Sequence, residues 1–517
     1  MRLGDESLMS GLAENTVIAW RGQAAQYCEQ APFSPSQVYP EYTFGDPPSQ
    51  LNPAYEAVRG CFKLAGLDAS RFDTSEWNPL QELIHPGETV LLKPNMVHQR
   101  HPRDPEGWRY VITHGSVIRA VADYVWKAIG PNGKIIVADA PQTDASFVEM
   151  TRILGLDAIR DFYGARGLAF EIIDLRQEEW TTRGDVVVER RKLPPNPYGS
   201  IAFDLGGASE FADHPGAGHY YGADYDASVV NRHHSDGRHE YLIAGCAIKC
   251  DVVFSLPKWK THKKAGITAS LKNLVGVNAD KNWLPHHTEG VPAHGGDEHP
   301  NPDLKHRTER TVAAVIRGLS HRVPVVGPWV HRVARSAGKP VFGDTETTVR
   351  SGNWFGNDTV WRMCLDLNKI VFYGNADGSL RAPTSENRKR HYAFVDGILA
   401  GQGNGPLNPD PVVAGVVLFG LHPPSVDAAC AYLMGFDPDK IPIVSRAFQC
   451  RALPISGHRW RDVMVRSNDV SWDHQLVEIS SSDTFHFLPH FGWKGRIELS
   501  SSREIPVGQT VEAAQRT

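Results

Sequence analysis

From Glu88 to Leu175 the chain alternates short apolar runs with amphipathic stretches in a regular order, and that order leaves few folds open. ETVLLKPN reads as a buried strand ending in a polar loop. HGSVIRAVADYVWKAIG follows, with Val117, Ile118, Val121, Val125 and Ala128 at helical spacing and Gly130 as its stop. KIIVADAP is the next strand, FVEMTRILGLDAIRDFYGARG a helix closed by glycine, and FEIIDL a third strand. Strands separated by helices pair in parallel through right-handed crossovers, because each helix must carry the chain back to the same end of the sheet. Ligands of such sheets bind beyond the carboxyl ends of the strands. The loops at those ends are Lys93–Asn95, Ala138–Asp144 and Pro257–His262, the last after the strand DVVFSLP. All three are rich in polar groups, which favours a shared site.

The rest of the chain is organised around this body. Residues 1–50 are polar and proline-containing, and read as an irregular arm over the body, which occupies 51–460. Residues 180–245 interrupt the pattern as an insertion, with TTRGDVVVERRKL as an exposed strand or hairpin. TVAAVIRGLSHRVPVVGPWVHRVARSAG supplies helices divided by a proline turn, NKIVFYGN reads as a further strand, and VAGVVLFG with SVDAACAYLMG closes the body. Residues 461–517 alternate in segments such as FHFLPHFGWKGRIELS, which suggests a small β appendage. The expected fold class is therefore α/β: a mostly parallel sheet with helices on both faces, an inserted segment and a small β-containing C-terminal tail.

Composition narrows the function classes. A chain of 517 residues with 41% hydrophobic and 22% charged residues can bury a sizeable core. A net charge of −5 argues against a nucleic-acid binder, which is normally basic. The N-terminal twenty residues lack a basic region and an unbroken apolar stretch, so they do not read as a secretory signal, and no apolar run is long enough to span a membrane. Seven scattered cysteines suit a reducing compartment. The expectation is a cytoplasmic protein acting on a small molecule, with neither nucleic acid nor membrane as partner; the oligomeric state is open.

Against that acidic background the segment from Pro257 to Gly290 is conspicuous. It holds Lys258, Lys260, His262, Lys263, Lys264, Lys272 and Lys281 with His286 and His287. Lysines beside the backbone amides of a glycine-containing loop suit phosphate or carboxylate. Lys272 is framed by Leu271, Leu274 and Val275, so partial burial is expected, which calls for an anionic partner or a lowered pKa. A lysine of that kind serves as a base or a covalent nucleophile. Neither a Walker A loop nor G-x-G-x-x-G is present, so no nucleotide motif supports hydride or nucleotide chemistry.

Two further clusters follow. His286, His287, His294, His299 and His306 lie near Asp297, Glu298 and Asp303, a donor set that suits zinc, iron, nickel or manganese, though at no named spacing. His286, His287 and Asp297 are the candidate metal ligands, and a divalent metal is the candidate cofactor. Towards the C-terminus, Asp396 precedes the glycine-rich turn Gly403–Asn404–Gly405–Pro406, and Asp427 opens a helix as a carboxylate at its positive end.

With these clusters in order, the chain resembles the bacterial and archaeal family catalogued as domain of unknown function 362. The resemblance rests on VLLKPN, KIIVADAP, DVVFSLPKWKTHKKAGITASLKNLVG, VDGILAGQGNGP and SVDAACAYLMGFDP, over roughly residues 85–460. It implies recurrent polar positions at Lys93, Asn95, Asp139, Lys258, Lys260, His262, Lys272, Asn273, Asp396, Asn404 and Asp427. Lys263 and Lys264 fall outside that pattern and read as surface charge. Many members carry ferredoxin-type cysteine runs; this chain has none, so no iron–sulfur cluster is expected. At His422 members usually show an acidic or small polar residue. The resulting expectation is an enzyme acting on a small anionic metabolite, carboxylated or phosphorylated, by proton or group transfer with possible metal assistance. Lys272, His262 and Asp396 are the catalytic candidates; Lys93, Asn95, Asp139, Lys258, Lys260, Asn273, Asn404 and Asp427 are the substrate-binding ones. The alternative is a non-catalytic metal- or ligand-binding accessory protein that works through the histidine-rich loop.

Overall fold

The computed structural model describes residues 12–46, 48, 51–183, 186–222, 226–301, 348–450 and 452–500. The helices expected within 311–338, with Asp303 and His306, lie outside the described residues. One ten-stranded sheet organises the molecule. Its strands are β1 (Thr16–Arg21), β2 (Thr89–Pro94), β3 (Lys134–Asp139), β4 (Ala169–Asp174), β5 (Val252–Leu256), β6 (Lys258–His262), β7 (Gly266–Thr268), β8 (Arg390–Asn404), β9 (Asn408–Gly420) and β10 (Met464–Ser467). The order is β10-β1-β9-β8-β5-β2-β3-β4, with β6 set against β8 and β7 against β6. From β8 to β4 every neighbour is parallel. The β8–β9 hairpin and the β9–β1 pair are antiparallel, so the sheet is α/β and mostly parallel, with a hairpin inside it.

Helices cover both faces. On one side α1 (Pro53–Leu64) and α2 (Gly115–Ile129) bury Phe62, Val121 and Val125 against Val90, Leu92, Phe254 and Phe419. The α2 helix starts where His114 accepts from the Ser116 amide and ends at Gly130, whose positive φ gives the turn the sequence predicts. On the other side lie α3 (Ser270–Asn273), α4 (Val360–Tyr373) and α5 (Pro423–Leu433), packed with Trp259, Leu271 and Val416.

Several local expectations are corrected. NKIVFYGN, expected as a strand, is the last half of α4, which is buried nearly all round. A helix with no polar face loses its 3.6-residue periodicity and reads like a buried strand. KWKTH, expected as part of a strand-end loop, is the strand β6. The arm contributes β1 to the sheet. In the tail, β10 joins β1 in parallel, and FHFLPHFGWKGRIELS forms turns rather than a separate β unit. The insertion contains two antiparallel strand pairs, Glu178–Arg183 with Val186–Lys192 and Ser200–Asp204 with Glu240–Ala244. Among the described residues no helix is long and apolar enough to cross a membrane.

Candidate functional site

The lysine-rich segment sits at the carboxyl ends of β2, β3 and β5. The period of a strand explains its layout. Alternate residues of β6 share a face, so Lys258, Lys260 and His262 point one way while Trp259 points the other. Trp259 is buried in the core, where its indole donates to the Cys430 carbonyl at 3.2 Å. Two lysines and a histidine are thereby directed into one side of the sheet edge by ordinary alternation.

Two lysines at the base are paired. Lys93 ends β2 and lies 2.9 Å from Asp139 at the end of β3, and it also donates to Asn273 Oδ1 at 3.0 Å. Asp139 accepts from the Met96 amide at 2.7 Å, and Asn273 returns bonds to the Lys93 carbonyl and to Ser255. Gly276 must be glycine here: a Cβ would fall 1.8 Å from Asp139 Oδ1 and 2.7 Å from Lys93 Nζ. Lys258 is likewise paired with Asp396 at 2.8 Å, both fully buried, and donates to the Tyr27 hydroxyl at 2.8 Å and to the Leu399 carbonyl. Burial lowers the pKa of both lysines, and the adjacent carboxylates oppose it.

The other cations lack a carboxylate of their own. Lys260 donates to the Val111 and Pro406 carbonyls; burial, with the charges of Lys258 and Lys272, holds its pKa well below the usual lysine range. Lys272, on α3, has no hydrogen-bond or ion-pair partner among the described residues. Burial lowers its pKa, while Asp139 acts in the opposite sense. Lys281 donates to the Val275 carbonyl, and burial brings its pKa to about 7, with Asp139 opposing and Lys93, Lys272 and Arg176 reinforcing. Lys272 also depresses Lys93, Lys260, His262 and His286. It is the electrostatic hub of the cluster.

The remaining candidates fall into distinct places. His262 accepts from the Lys264 and Ala265 amides through Nδ1, at 3.0 and 3.1 Å. Asn95 lies in the loop after β2, its amide bound to Thr113 Oγ1 and its side-chain oxygen buried without a partner among the described residues. Asn404 closes the β8–β9 hairpin opposite Asn408, in the turn whose Pro406 carbonyl faces Lys260. Asp427 does not act on its own helix. Its oxygens accept from the Ser270 and Leu271 amides at 2.7 and 3.0 Å, which caps α3 and so places Lys272. Burial raises its pKa to about 8.

Three expectations change. Asp396, expected among the catalytic residues to orient the acid or base or to bind a metal, has both oxygens engaged: Oδ1 by Tyr27 at 2.5 Å, Oδ2 by Lys258 and the His114 amide. It holds Lys258 in place instead of facing a ligand. Lys264, read as surface charge, is buried and donates to the His286 carbonyl at 3.3 Å. The expected metal trio is dispersed. Asp297 accepts from the Thr288, Asp358 and Thr359 amides and the Thr359 hydroxyl, His286 donates to the Leu284 carbonyl, and His287 pairs with Tyr221 in a short ladder. Among the described residues no three His, Cys, Asp or Glu gather as a metal site requires.

Sequence reasoning missed Tyr27, which reaches in from the arm, and it gave Gly276 and Lys281 no role. The spacing of Lys281 from Lys272 carries no signal, because the intervening 3-10 turn of Leu274–Val277 sets their approach.

The comparisons reach the family and stop there. No curated protein matches the chain. A crystal structure of a Thermotoga maritima protein, a Northeast Structural Genomics Consortium target, aligns with 72% of this chain at 12% identity and a TM-score of 0.27, a likeness too low to carry an argument. This chain spans 56% of that protein's length. The segment from Ser200–Asp204 to the end of α5, which includes β6, α3, His262 and His286, does match a family: residues 198–432 fit the family described as domain of unknown function (DUF362).

Proposed function

We propose that the cluster around Lys272 binds a small anionic metabolite, carboxylated or phosphorylated, and turns it over by proton or group transfer. One observation carries this reading. Lys93 and Lys258 each face a carboxylate, whereas Lys260, Lys272 and Lys281 crowd together without one of their own, and the Lys272 amine is unpartnered among the described residues. Several buried or half-buried ammonium groups repel each other by an amount that an incoming anion removes. Position supports it as well, since the cluster lies beyond the carboxyl ends of parallel strands. A cytoplasmic setting fits the seven cysteines, which are all buried and none of which forms a disulfide among the described residues. The metal-binding accessory reading draws less support, because the protein itself already occupies the oxygens of Asp297.

Calorimetry with inorganic phosphate and with malonate, at low salt and at roughly 0.3 M salt, tests this. Wild-type protein should bind one of the two, more weakly in salt because the attraction is screened, and Lys272→Met should lose at least tenfold in affinity. Equal affinity in wild type and Lys272→Met, or no binding of either anion, would sink the reading.

A further inference from the structure

His262 and His286 are held in opposite tautomers by backbone groups that allow no other choice. His262 Nδ1 accepts two main-chain N–H groups, from Lys264 and Ala265, so its proton sits on Nε2. His286 Nδ1 faces the Leu284 carbonyl at 2.9 Å, which can only accept, so this nitrogen carries the proton and Nε2 keeps its lone pair. Lys264 ties the His262 ring to the His286 backbone. Its amide is bound by His262, and its ammonium group donates to the His286 carbonyl at 3.3 Å. Neither Nε2 has a protein partner among the described residues, and both rings feel the Lys272 charge. One ring therefore offers a neutral N–H donor and the other an acceptor, both within the field of the same unpartnered amine.

We propose that His286 is the proton-abstracting base and His262 the neutral electrophile of this site, acting on an anionic substrate that carries a carbonyl group. This rests on the anion-site reading above. His286 Nε2 takes a proton from the carbon next to the carbonyl, and the C–H electron pair remains on the substrate as an enolate. The enolate oxygen is held by the His262 Nε2–H, which is shared but not released. Return of the proton from His286 to the substrate restores the neutral ring, so no oxidant or co-reactant is needed. A neutral imidazole suits the donor role better than a charged one, because its acidity lies closer to that of an enol.

The lysines give this pair a condition. Burial, followed by the charges of Lys264, Lys272 and Lys281, brings the pKa of His286 to about 3, with the Leu284 carbonyl opposing. Burial, then Lys272, Lys263, Lys260 and Lys264, keeps that of His262 well below 6.5. An empty site thus holds a weak base. An anion seated on the lysines offsets their field at His286 and makes it more basic only when substrate is present.

Nitrogen-15 NMR of histidine-labelled full-length protein tests both parts, with the His262→Gln and His286→Gln variants used for assignment. Without ligand, His286 should show the Nδ1–H tautomer and His262 the Nε2–H tautomer near pH 7. Saturating phosphate or malonate should raise the His286 pKa by at least one unit and leave His262 neutral. Lys272→Met should raise it partway without ligand. A ring found in the other tautomer overturns the pair whatever binds. Binding by calorimetry with no movement of His286 overturns the base and leaves the anion site standing. Absence of binding overturns the anion site itself.

Discussion

Two sets of lysines lie within a few residues of each other in sequence or in space, and the protein treats them oppositely. Lys93 and Lys258 are completely buried, and each is matched by a carboxylate and by further acceptors. Lys272 and Lys281 are half-buried and have no carboxylate to themselves. A buried charge that is paired is committed to the architecture; one left unpaired holds an electrostatic penalty that only a ligand can remove. The paired set pins strand ends together, and the unpaired set is left with charge that no carboxylate of its own offsets.

The comparison breaks most sharply on the paired side. Lys258→Met leaves Asp396 buried with only Tyr27 and backbone amides, and should cost about 3–5 kcal/mol, read by urea unfolding. Lys272→Met removes a charge with no hydrogen-bond or ion-pair partner among the described residues, and should change stability by less than about 1 kcal/mol or raise it. If the two substitutions cost the same, the division into architectural and ligand-facing lysines is wrong.

Gly276→Ala probes the paired set without touching a charge. The new methyl group would overlap Asp139 and press on Lys93, so one or both must move. A loss of roughly 2–4 kcal/mol is expected, of the size seen for strain in a packed interior. A near-neutral result would mean that the Lys93–Asp139 pair has room to shift, and the floor of the site would be softer than its geometry implies.

How much of this was legible in the sequence follows from which forces are local. The strand–helix alternation fixed the parallel half of the sheet, because each element there has one polar face and a clear period. It failed at α4, whose residues are buried on all sides, and at β10, which contributes only four residues to an edge. Within the site, the residue types at Lys93, Asp139, Lys272 and Asn273 marked a polar centre, but their pairing was hidden. Nothing local distinguishes Lys258, which meets Asp396 some 138 positions away, from Lys272, which meets no carboxylate. The alternation in KWKTH was readable as a strand; the density of charge made it look like a loop. The tautomers of His262 and His286 depend on backbone groups two or three residues away, yet only the turn geometry says which group each ring faces.

A smaller loss than those at Lys258 and Gly276 is expected at the link between the two sets, Asp427, a buried carboxyl group that positions an unpaired lysine. Burial lifts its pKa from 3.8 to about 8, against the pull of the two amides that it caps. Between those values the folded state keeps a proton that the unfolded chain has released, so stability should fall as pH rises from about 4 to 8. Asp427→Asn gives up one of the two capping acceptors, at about 1 kcal/mol near pH 5. It also has no proton to lose, so its stability relative to wild type should recover as pH climbs towards 8. Urea unfolding of both proteins at pH 5 and pH 8 measures this difference. A gap that stays constant between pH 5 and pH 8 would show that Asp427 is ionised and works as a charged cap, and α3 would then present Lys272 beside a compensating carboxylate. In that case Lys272 would belong with the paired lysines, and the excess of positive charge at the site would shrink accordingly.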